Sequence, residues 1–179
     1  MEQKLEAYRR KRNFLKTSEP SGKEEKPVGV TKRKIFAVQL HYARTTHFDF
    51  RLEWDGVLLS WAVPKGPSFN PKDKRLAVRV EEHPLDYADF EGVIPKGEYG
   101  GGTVLLWDKG YWTQTEDFAR GLEKGSLKLR LDGKRLKGGW ALVRLNDKDK
   151  AEDEKENWLL FKEKDSFAKD TSGLTGRER

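Results

Sequence analysis

From Ile35 onward, apolar and polar residues alternate in short runs, as they do in β-strands that bury one face. Turn signals of the hairpin type separate these runs, among them Asp55-Gly56 between Trp54 and Val57. The pattern predicts a mostly β fold. We expect an antiparallel β-barrel of about eight strands, because closing the sheet removes its exposed edges.

Two later runs give predictions in more detail. The alternation in Leu76–Glu82 predicts a strand whose apolar residues, beginning with Leu76, point inward. Thr103–Trp107 and Tyr111–Thr113 flank the turn-like sequence Asp108-Lys109-Gly110, which predicts a hairpin between them.

The pattern also predicts two helices. Residues 2–16 place Leu5 and Tyr8 on one helical stripe, and Thr115–Lys124 is predicted to form a short internal helix. Proline and glycine interrupt Thr17–Thr31, which is typical of a linker or of an ordered crossing loop. We therefore expect a basic N-terminal helix and arm (1–34), a β-barrel domain (35–165) and a polar C-terminal tail (166–179).

Composition narrows the possible chemistry. The 179 residues include no cysteine, which excludes disulfides, thiolate metal sites and a cysteine nucleophile. Charged residues make up 37% of the chain and apolar residues 35%, yet six Trp and nine Phe are enough for a core. The N-terminal region has no apolar run of signal-peptide or membrane-span length. We expect a cytoplasmic protein with no membrane contact.

The formal net charge of +6 lies in the N-terminal region. Residues 1–34 carry 11 Lys and Arg but 5 Asp and Glu, so the rest of the chain is neutral. Such an arm can bind nucleic-acid phosphates by releasing counterions. It can equally be a solvated charged surface, so charge alone leaves nucleic-acid binding open.

The stretch Gln39–Glu53 concentrates the candidate chemistry. In a strand, His47, Asp49 and Arg51 share one face, because side chains alternate with period two. If the strand pairs with Ile35–His41 across the predicted link Tyr42–Thr46, His41 lies beside His47. The hairpin can then present two imidazoles and one carboxylate to one divalent metal, and this donor set suits Mn, Fe, Co or Zn.

Three further side chains are candidates for binding an anion. The guanidinium of Arg51 can bind a phosphate bidentately, or it can form a surface salt bridge, for example with Glu53 or Glu81. Tyr87 can donate its hydroxyl to the same phosphate or pack in the core. His83 can protonate a leaving oxygen or bind phosphate, and the sequence does not separate these roles. The glycine-rich stretch Glu91–Thr103 lacks the ending of a phosphate-binding loop and is expected to form tight turns.

Several stretches resemble the 3′-phosphoesterase module of bacterial DNA ligase D and its free-standing homologues. They are QLHYARTTHFDFRLEWDGVLLSWAVPKGPS, DKRLAVRVEEHPLDYADFEGVIPKGEYGGGTVLLWDKG and the N-terminal YRRKRNFLKTSEPSG. The resemblance implies a β-barrel whose active site lies in a polar surface groove. It implies a Mn²⁺-dependent enzyme, with Co²⁺ or Zn²⁺ as other candidate metals, that acts on DNA or RNA/DNA 3′ ends in a primer–template.

The implied activities act in sequence at one 3′ end. Phosphodiester cleavage removes a terminal ribonucleoside, phosphomonoester cleavage removes the 3′-phosphate, and the remaining 3′-OH is fit for ligation in non-homologous end joining. We expect a monomer that acts alone or with a separate DNA ligase or polymerase.

The resemblance also assigns residues by matching position. His41, His47 and Asp49 match the metal ligands. Arg51, His83 and Tyr87 match residues that hold the scissile phosphate and, with His47, form the expected catalytic set. The expected supporting positions are Arg12, Glu19, Gln39, Lys65, Arg75 and Glu81.

This sequence departs from the family pattern at Asn13, where the family usually has Asp. Two other functions also stay open. A mononuclear iron oxygenase would use His47, Asp49 and His83 as a two-histidine, one-carboxylate triad. A non-catalytic DNA-end-binding module would use the basic arm and bind DNA without the three histidines.

Overall fold

A computed structural model describes residues 2–22, 33–146 and 155–174. The predicted N-terminal linker beyond residue 22 and the last five residues of the predicted C-terminal tail lie outside this part. The strands are β1 Lys34–Tyr42, β2 Thr46–Trp54, β3 Val57–Val63, β4 Arg75–His83, β5 Gly92–Ile94, β6 Gly102–Gln114, β7 Ser126–Gly133, β8 Lys137–Arg144 and β9 Asn157–Lys162.

The strands form a closed antiparallel barrel, as the alternating pattern predicts. Eight of them pair in the order β1-β2-β3-β4-β9-β8-β7-β6, and β6 pairs again with β1 to close the ring. The ninth strand, β5, pairs with the start of β6. The hairpin across Asp55-Gly56 is present, and both residues have positive φ, as a tight two-residue turn requires.

The predicted hairpin at Asp108-Lys109-Gly110 is wrong, because β6 runs through this sequence without turning. A register shift against β1 leaves Trp107 between the paired residues Leu106 and Asp108, so the strand bulges there. The buried carboxylate of Asp108 accepts hydrogen bonds from three backbone amides in the β7–β8 connection, at 2.7–3.2 Å. Asp108 therefore ties two parts of the barrel together instead of forming a turn of its own.

The prediction that Leu76 points inward is also wrong. Leu76 is 42% exposed, and its neighbour Ala77 packs in the barrel interior. A shift of one residue moves the whole alternating set to the other face of a strand. Sequence alternation located β4 but assigned its two faces the wrong way round.

The helices are shorter than predicted. A 3₁₀-helix at Glu2–Leu5 leads into α1 (Glu6–Arg10), and a turn follows instead of a helix that continues to residue 16. The second helix, α2, covers Phe118–Lys124 and begins where the Asp117 side chain accepts a hydrogen bond from the backbone of Arg120. A further 3₁₀-helix covers Leu85–Asp89. No helix of the described chain is long and apolar enough to cross a membrane.

Two hydrophobic clusters determine where a site can form. The larger fills the barrel interior around Trp61, Trp140 and Trp158. The smaller lies outside the barrel wall, where Tyr8 and Tyr87 pack over β1 and β3. The N-terminal segment and the segment that follows β4 thus cover one patch of the outer wall. The polar faces of β1 and β2 lie under this cover.

Candidate metal and phosphate site

The β1–β2 hairpin brings the predicted metal ligands together. His41 pairs directly with His47 and Gln39 with Asp49, so these side chains share one face of the sheet. The link between the strands is shorter than the predicted five residues and consists of Ala43, Arg44 and Thr45. The two imidazole rings lie 4.8 Å apart between centroids.

The carboxylate of Asp49 lies between the two histidines. Its Oδ1 is 3.2 Å from His47 Nε2, and its Oδ2 is 3.5 Å from His41 Nδ1. One ligand atom from each of His41, His47 and Asp49 lies within 4.8 Å of the ligand atoms of the other two. His41 and Asp49 are buried, while His47 is partly open to solvent. This donor set can hold a divalent metal ion.

Backbone carbonyls orient both imidazoles. His41 Nε2 lies 2.6 Å from the carbonyl oxygen of Gly100, and His47 Nδ1 lies 3.0 Å from that of Thr45. The ring nitrogen that faces a carbonyl donates its proton there, so the nitrogen that faces Asp49 is the one that can bind a metal ion, once any proton that it shares with that carboxylate has left. A carbonyl partner on the second nitrogen is the arrangement that metal-ligating histidines have in proteins.

The charges at this site favour an ionised carboxylate. Burial alone raises the pKa of the Asp49 carboxyl, but Arg51 and the two histidines outweigh it and hold that pKa well below its usual range. For His47, burial lowers the pKa of the imidazole, and the hydrogen bond to Asp49 outweighs that effect and raises it. Asp49 is therefore charged at neutral pH.

Arg51 is the buried cation next to the metal-binding group. Its Nη2 is 3.6 Å from Asp49 Oδ2, and the side chain is 3% exposed. Its Nε donates to Gln39 Oε1 at 2.7 Å and its Nη1 to Ser60 Oγ at 2.8 Å. The amide of Gln39 is held in turn by the carbonyls of Tyr87 and of Phe90. The guanidinium is therefore held in one orientation.

Tyr87 lies over this guanidinium, with Arg51 Cζ 4.7 Å from the ring centroid. Its hydroxyl donates to Glu19 Oε2 at 2.7 Å, and Arg12 Nε donates to the same oxygen at 2.9 Å. Burial raises the pKa of Tyr87 well above its ordinary value, and the Glu19 carboxylate adds to the rise. The phenol therefore stays protonated, with its proton directed at Glu19.

A bulge in β4 brings His83 to this face. Ser60 pairs with Val80 and Leu58 with His83, so β4 has one more residue than β3 between these pairs. Paired residues share a face of the sheet, and His83 therefore joins Ser60 on the outer wall. Strict alternation would place His83 on the same face as the interior residue Ala77.

The hydrogen bonds of His83 define its tautomer. Nδ1 lies 2.9 Å from the Glu81 carbonyl oxygen, so it carries the proton, and Nε2 faces Arg12 Nη2 at 3.4 Å. Burial, followed by the charges of Arg51 and Arg12, lowers the pKa of His83 well below its usual range. In this structure His83 is a neutral imidazole whose Nε2 accepts a hydrogen bond.

The N-terminal segment completes the charged network. Arg12 and Lys11 both reach the Glu81 carboxylate, at 3.3 and 3.1 Å. Burial alone raises the pKa of Glu81, but hydrogen bonds and these two cations outweigh it and lower that pKa. The side chains of Arg12 and Glu19 are 5% and 0% exposed. This part of the basic segment is built into the site.

Lys65 and Arg75 lie next to each other. Arg75 Nη1 lies 3.4 Å from the Lys65 carbonyl oxygen, and Arg75 Nη2 lies 3.7 Å from Asp73. Among the described contacts, none joins these two residues to the metal-binding group or to Arg51. They are the two predicted supporting residues that the structure does not bring into the network.

Comparison with known proteins supports the family resemblance that the sequence suggested. Residues 39–144 match the sequence profile of the DNA ligase D 3′-phosphoesterase domain. This chain belongs to that family. Membership implies phosphoesterase activity in general.

The relatives of this phosphoesterase domain are much longer proteins. This chain is 52% identical over 165 residues to the multifunctional non-homologous end joining protein LigD of Pseudomonas aeruginosa. The alignment covers 92% of the chain and 19% of that protein. The chain is 46% identical over 143 residues to the corresponding DNA repair protein of Mycobacterium tuberculosis, covering 80% of the chain and 18% of that protein. The chain spans about a fifth of the length of these relatives.

Sequence reasoning missed three contributors to the site of this phosphoesterase domain. Ser60 holds Arg51, the Gly100 carbonyl orients His41, and Tyr8 packs its ring 4.9 Å from that of His83. Ser60 offered one signal, since it is a lone hydroxyl in the apolar strand VLLSWAV. A backbone carbonyl leaves no signature in residue type, and Tyr8 was assigned only to a helical stripe.

Proposed function

We propose that this chain is a Mn²⁺-dependent DNA 3′-end-processing phosphoesterase. It removes 3′-terminal ribonucleosides by phosphodiester cleavage and 3′-phosphates by phosphomonoester cleavage, and it leaves a ligatable 3′-OH. The family supplies the general phosphoesterase activity. The printed names of its relatives support a role in non-homologous end joining, with DNA or RNA/DNA ends in a primer–template as substrate.

One observation carries the proposal. A cation-binding group, His41, His47 and Asp49, adjoins a buried anion-binding group on the same wall, and Asp49 Oδ2 lies 3.6 Å from Arg51 Nη2. A phosphate ester is a ligand that fits both groups at once. Its oxygens can bind a metal and a guanidinium together, and the metal would stabilise charge on the phosphate in the transition state.

His41, His47 and Asp49 would hold the ion. Both imidazoles direct at the ionised carboxylate the nitrogen that no carbonyl holds. Metal ligands need these groups without protons, so binding of the ion would displace any proton that His47 shares with Asp49. Manganese accepts this mixture of nitrogen and oxygen donors, as do Co²⁺ and Zn²⁺. In this proposal the three side chains bind the metal, and His47 is the ligand closest to solvent.

Arg51 would position the phosphate. Gln39 and Ser60 already hold its guanidinium, so little conformational freedom is lost when the substrate binds. An arginine that is held in advance and buried acts on the developing charge without having to reorganise during the reaction.

Tyr87 would contact the phosphate through its hydroxyl only after a change of partner. Its proton now points to Glu19, at 2.7 Å. Rotation of the O–H bond toward a phosphate oxygen would leave Glu19 bound to Arg12 and to the Thr17 hydroxyl. Glu19 is therefore a positioning residue for Tyr87 and not a group that touches the substrate.

His83 would respond to the charge of the substrate. Burial and two arginines keep the imidazole neutral, and its only ring proton is donated to the backbone carbonyl of Glu81. A bound phosphate offsets those arginine charges and raises the pKa of His83. The imidazolium that forms would donate from Nε2 to the phosphate. In the free enzyme, the neutral tautomer has no Nε2 proton to give to a leaving oxygen.

The iron-oxygenase hypothesis needs a different triad. It combines His83 with His47 and Asp49, but His83 Nε2 faces Arg12, and the group that gathers around Asp49 contains His41. The DNA-end-binding hypothesis differs from ours in its prediction that binding does not need the histidines.

We propose a monomer that works in the cytoplasm at the nucleoid, together with ligase and polymerase activities.

The test uses a 5′-labelled primer–template with Mn²⁺. One primer ends in a ribonucleotide and another in a 3′-phosphate. We expect shortening of the first and dephosphorylation of the second, and we expect both activities to be lost in Asp49→Ala. DNA binding without turnover on either primer would instead support the end-binding module.

A further inference from the structure

Tyr99 is an aromatic side chain held at the rim of the site. Two consecutive turns carry it, in which Glu98 N donates to the Pro95 carbonyl at 3.1 Å and Gly101 N to the Glu98 carbonyl at 3.0 Å. Gly100 adopts a φ of 77°, which L-residues with a side chain rarely adopt. The loop is therefore tightly wound, yet Tyr99 is 42% exposed.

Contacts on both sides place Tyr99 between the two halves of the site. The carbonyl of its neighbour Gly100 holds His41. On the other side, Lys11 Nζ lies 4.9 Å and Arg12 Cζ 5.2 Å from the centroid of the Tyr99 ring. Arg12 in turn lies 3.4 Å from the Nε2 atom of His83. Tyr99 is thus one residue from the carbonyl that orients His41, and its ring contacts Lys11 and Arg12.

These surroundings suit a nucleobase. Stacking of a base on an aromatic ring is tolerant of sequence, and proteins that bind single strands combine such rings with cations that bind the backbone. The short side chain of tyrosine has two torsions, so little entropy is lost when the ring is covered. Cation–π contacts with Lys11 Nζ and with the Arg12 guanidinium account for part of the Tyr99 ring, but they leave its exposed part without a role.

We propose that Tyr99 stacks on a base that adjoins the scissile phosphate, and so positions the 3′ end over the metal-binding group. This inference rests on the proposed function, because it takes a nucleic-acid 3′ end as the ligand. The inference adds Tyr99, as a substrate-positioning residue, to the metal-binding and anion-binding groups of the site. Since stacking does not depend on base identity, the 3′ end would be recognised without sequence preference.

The experiment measures binding and turnover separately. Primer–templates carry 2-aminopurine at a position flanking the scissile phosphate, and fluorescence reports stacking at equilibrium. We expect Tyr99→Ala to raise the Kd and the KM about tenfold, with the fluorescence quenching reduced. Tyr99→Trp keeps both constants near those of the unsubstituted protein. Tyr111→Ala is the matched control, since this tyrosine is 37% exposed beside Arg33, at the other end of β6.

Abasic substrates decide whether the contact is to a base. Removing the base that Tyr99 contacts should abolish the difference between Tyr99→Ala and the unsubstituted protein. A difference that persists with an abasic site on either side of the phosphate would overturn the inference, as would a Kd that Tyr99→Ala leaves unchanged. Failure of the proposed function looks different, since the unsubstituted protein would then bind the DNA without turnover.

Discussion

The hydroxyl of Tyr87 donates a hydrogen bond to Glu19 across 2.7 Å, although 68 residues separate the two along the chain. Arg12 binds the same carboxylate, so the N-terminal segment orients a side chain that lies over Arg51. The basic segment that the sequence identified by its charge is therefore, in its described part, a structural component of the site. Its arginine and glutamate are buried there.

Replacing Glu19 tests this connection. Glu19→Gln keeps the size of the side chain but removes the charge that orients the phenol and pairs with Arg12. We expect kcat to fall about tenfold, equivalent to about 1.4 kcal/mol, with KM changing less because the residue does not touch the substrate. Glu82→Gln, at a partly exposed carboxylate on β4, is the control and should keep full activity. An unchanged kcat in Glu19→Gln would show that Tyr87 does not depend on this partner.

The buried His83 makes a prediction about stability and pH. Its folded-state pKa lies below the unfolded value of about 6.5. The unfolded chain therefore takes up a proton at a higher pH than the folded chain does. The contribution to stability is complete above about pH 6.5 and is lost as the pH falls below it, by up to about 1.4 kcal/mol per pH unit.

The measurement is the free energy of unfolding between pH 5 and 7.5, without metal, in the unsubstituted protein and in His83→Gln. His47 has a raised pKa and changes stability in the opposite direction. Because both proteins contain His47, its effect cancels in their difference, which isolates the contribution of His83. We expect the unsubstituted protein to lose more stability on acidification than His83→Gln. Parallel pH profiles would contradict a buried neutral imidazole. The groups that face His83 are Tyr8, Arg12, Arg51, Glu81 and Tyr87.

The departure at Asn13 has a structural explanation. Its side-chain oxygen accepts a hydrogen bond from the backbone of Leu15 at 3.0 Å, and this bond shapes the turn at residues 14–16, which follows the N-terminal helix. An aspartate can accept the same bond. Asn13→Asp should therefore change both activities less than twofold and the free energy of unfolding by less than about 0.5 kcal/mol. A large gain in diesterase activity would instead show that a carboxylate acts there.

Asp108 predicts a large effect on stability away from the site. Its buried carboxylate accepts hydrogen bonds from the backbone amides of Lys134, Arg135 and Leu136. Asp108→Ala leaves these donors without their partner and should cost about 3 kcal/mol or more. Denaturant unfolding measures this cost. Asp132→Ala, whose side chain is 68% exposed, is the control and should cost less than about 1 kcal/mol.

Local periodicity predicted the site wherever the strands are regular. His41, His47, Asp49 and Arg51 lie in the unbroken register of β1 and β2, so a period of two was enough to place them on one face. His83 could not be placed in this way, because the bulge in β4 depends on pairing with β3. Strand periodicity contains no information about such an insertion.

Tertiary contacts explain the other misses. Asp108-Lys109-Gly110 has the composition of a turn, but the carboxylate binds amides that lie 26 to 28 residues further along the chain, and the strand continues. The charge of the N-terminal segment left open whether it binds nucleic acid or is a solvated surface, and it did not indicate that part of the segment is buried. Its burial depends on Tyr8, which packs with Tyr87 outside the barrel wall. Both outcomes depend on contacts between residues distant in sequence.

The central claim is that His41, His47 and Asp49 form the metal centre of a 3′-phosphoesterase. The most direct test measures Mn²⁺ binding and the removal of a 3′-phosphate in the same samples. It compares the unsubstituted protein with His41→Ala, Asp49→Ala and the control Tyr111→Ala. We predict one tightly bound ion per chain and metal-dependent turnover in the unsubstituted protein and the control, and loss of both in the two ligand variants while they remain folded. Turnover with bound metal in Asp49→Ala would contradict the account.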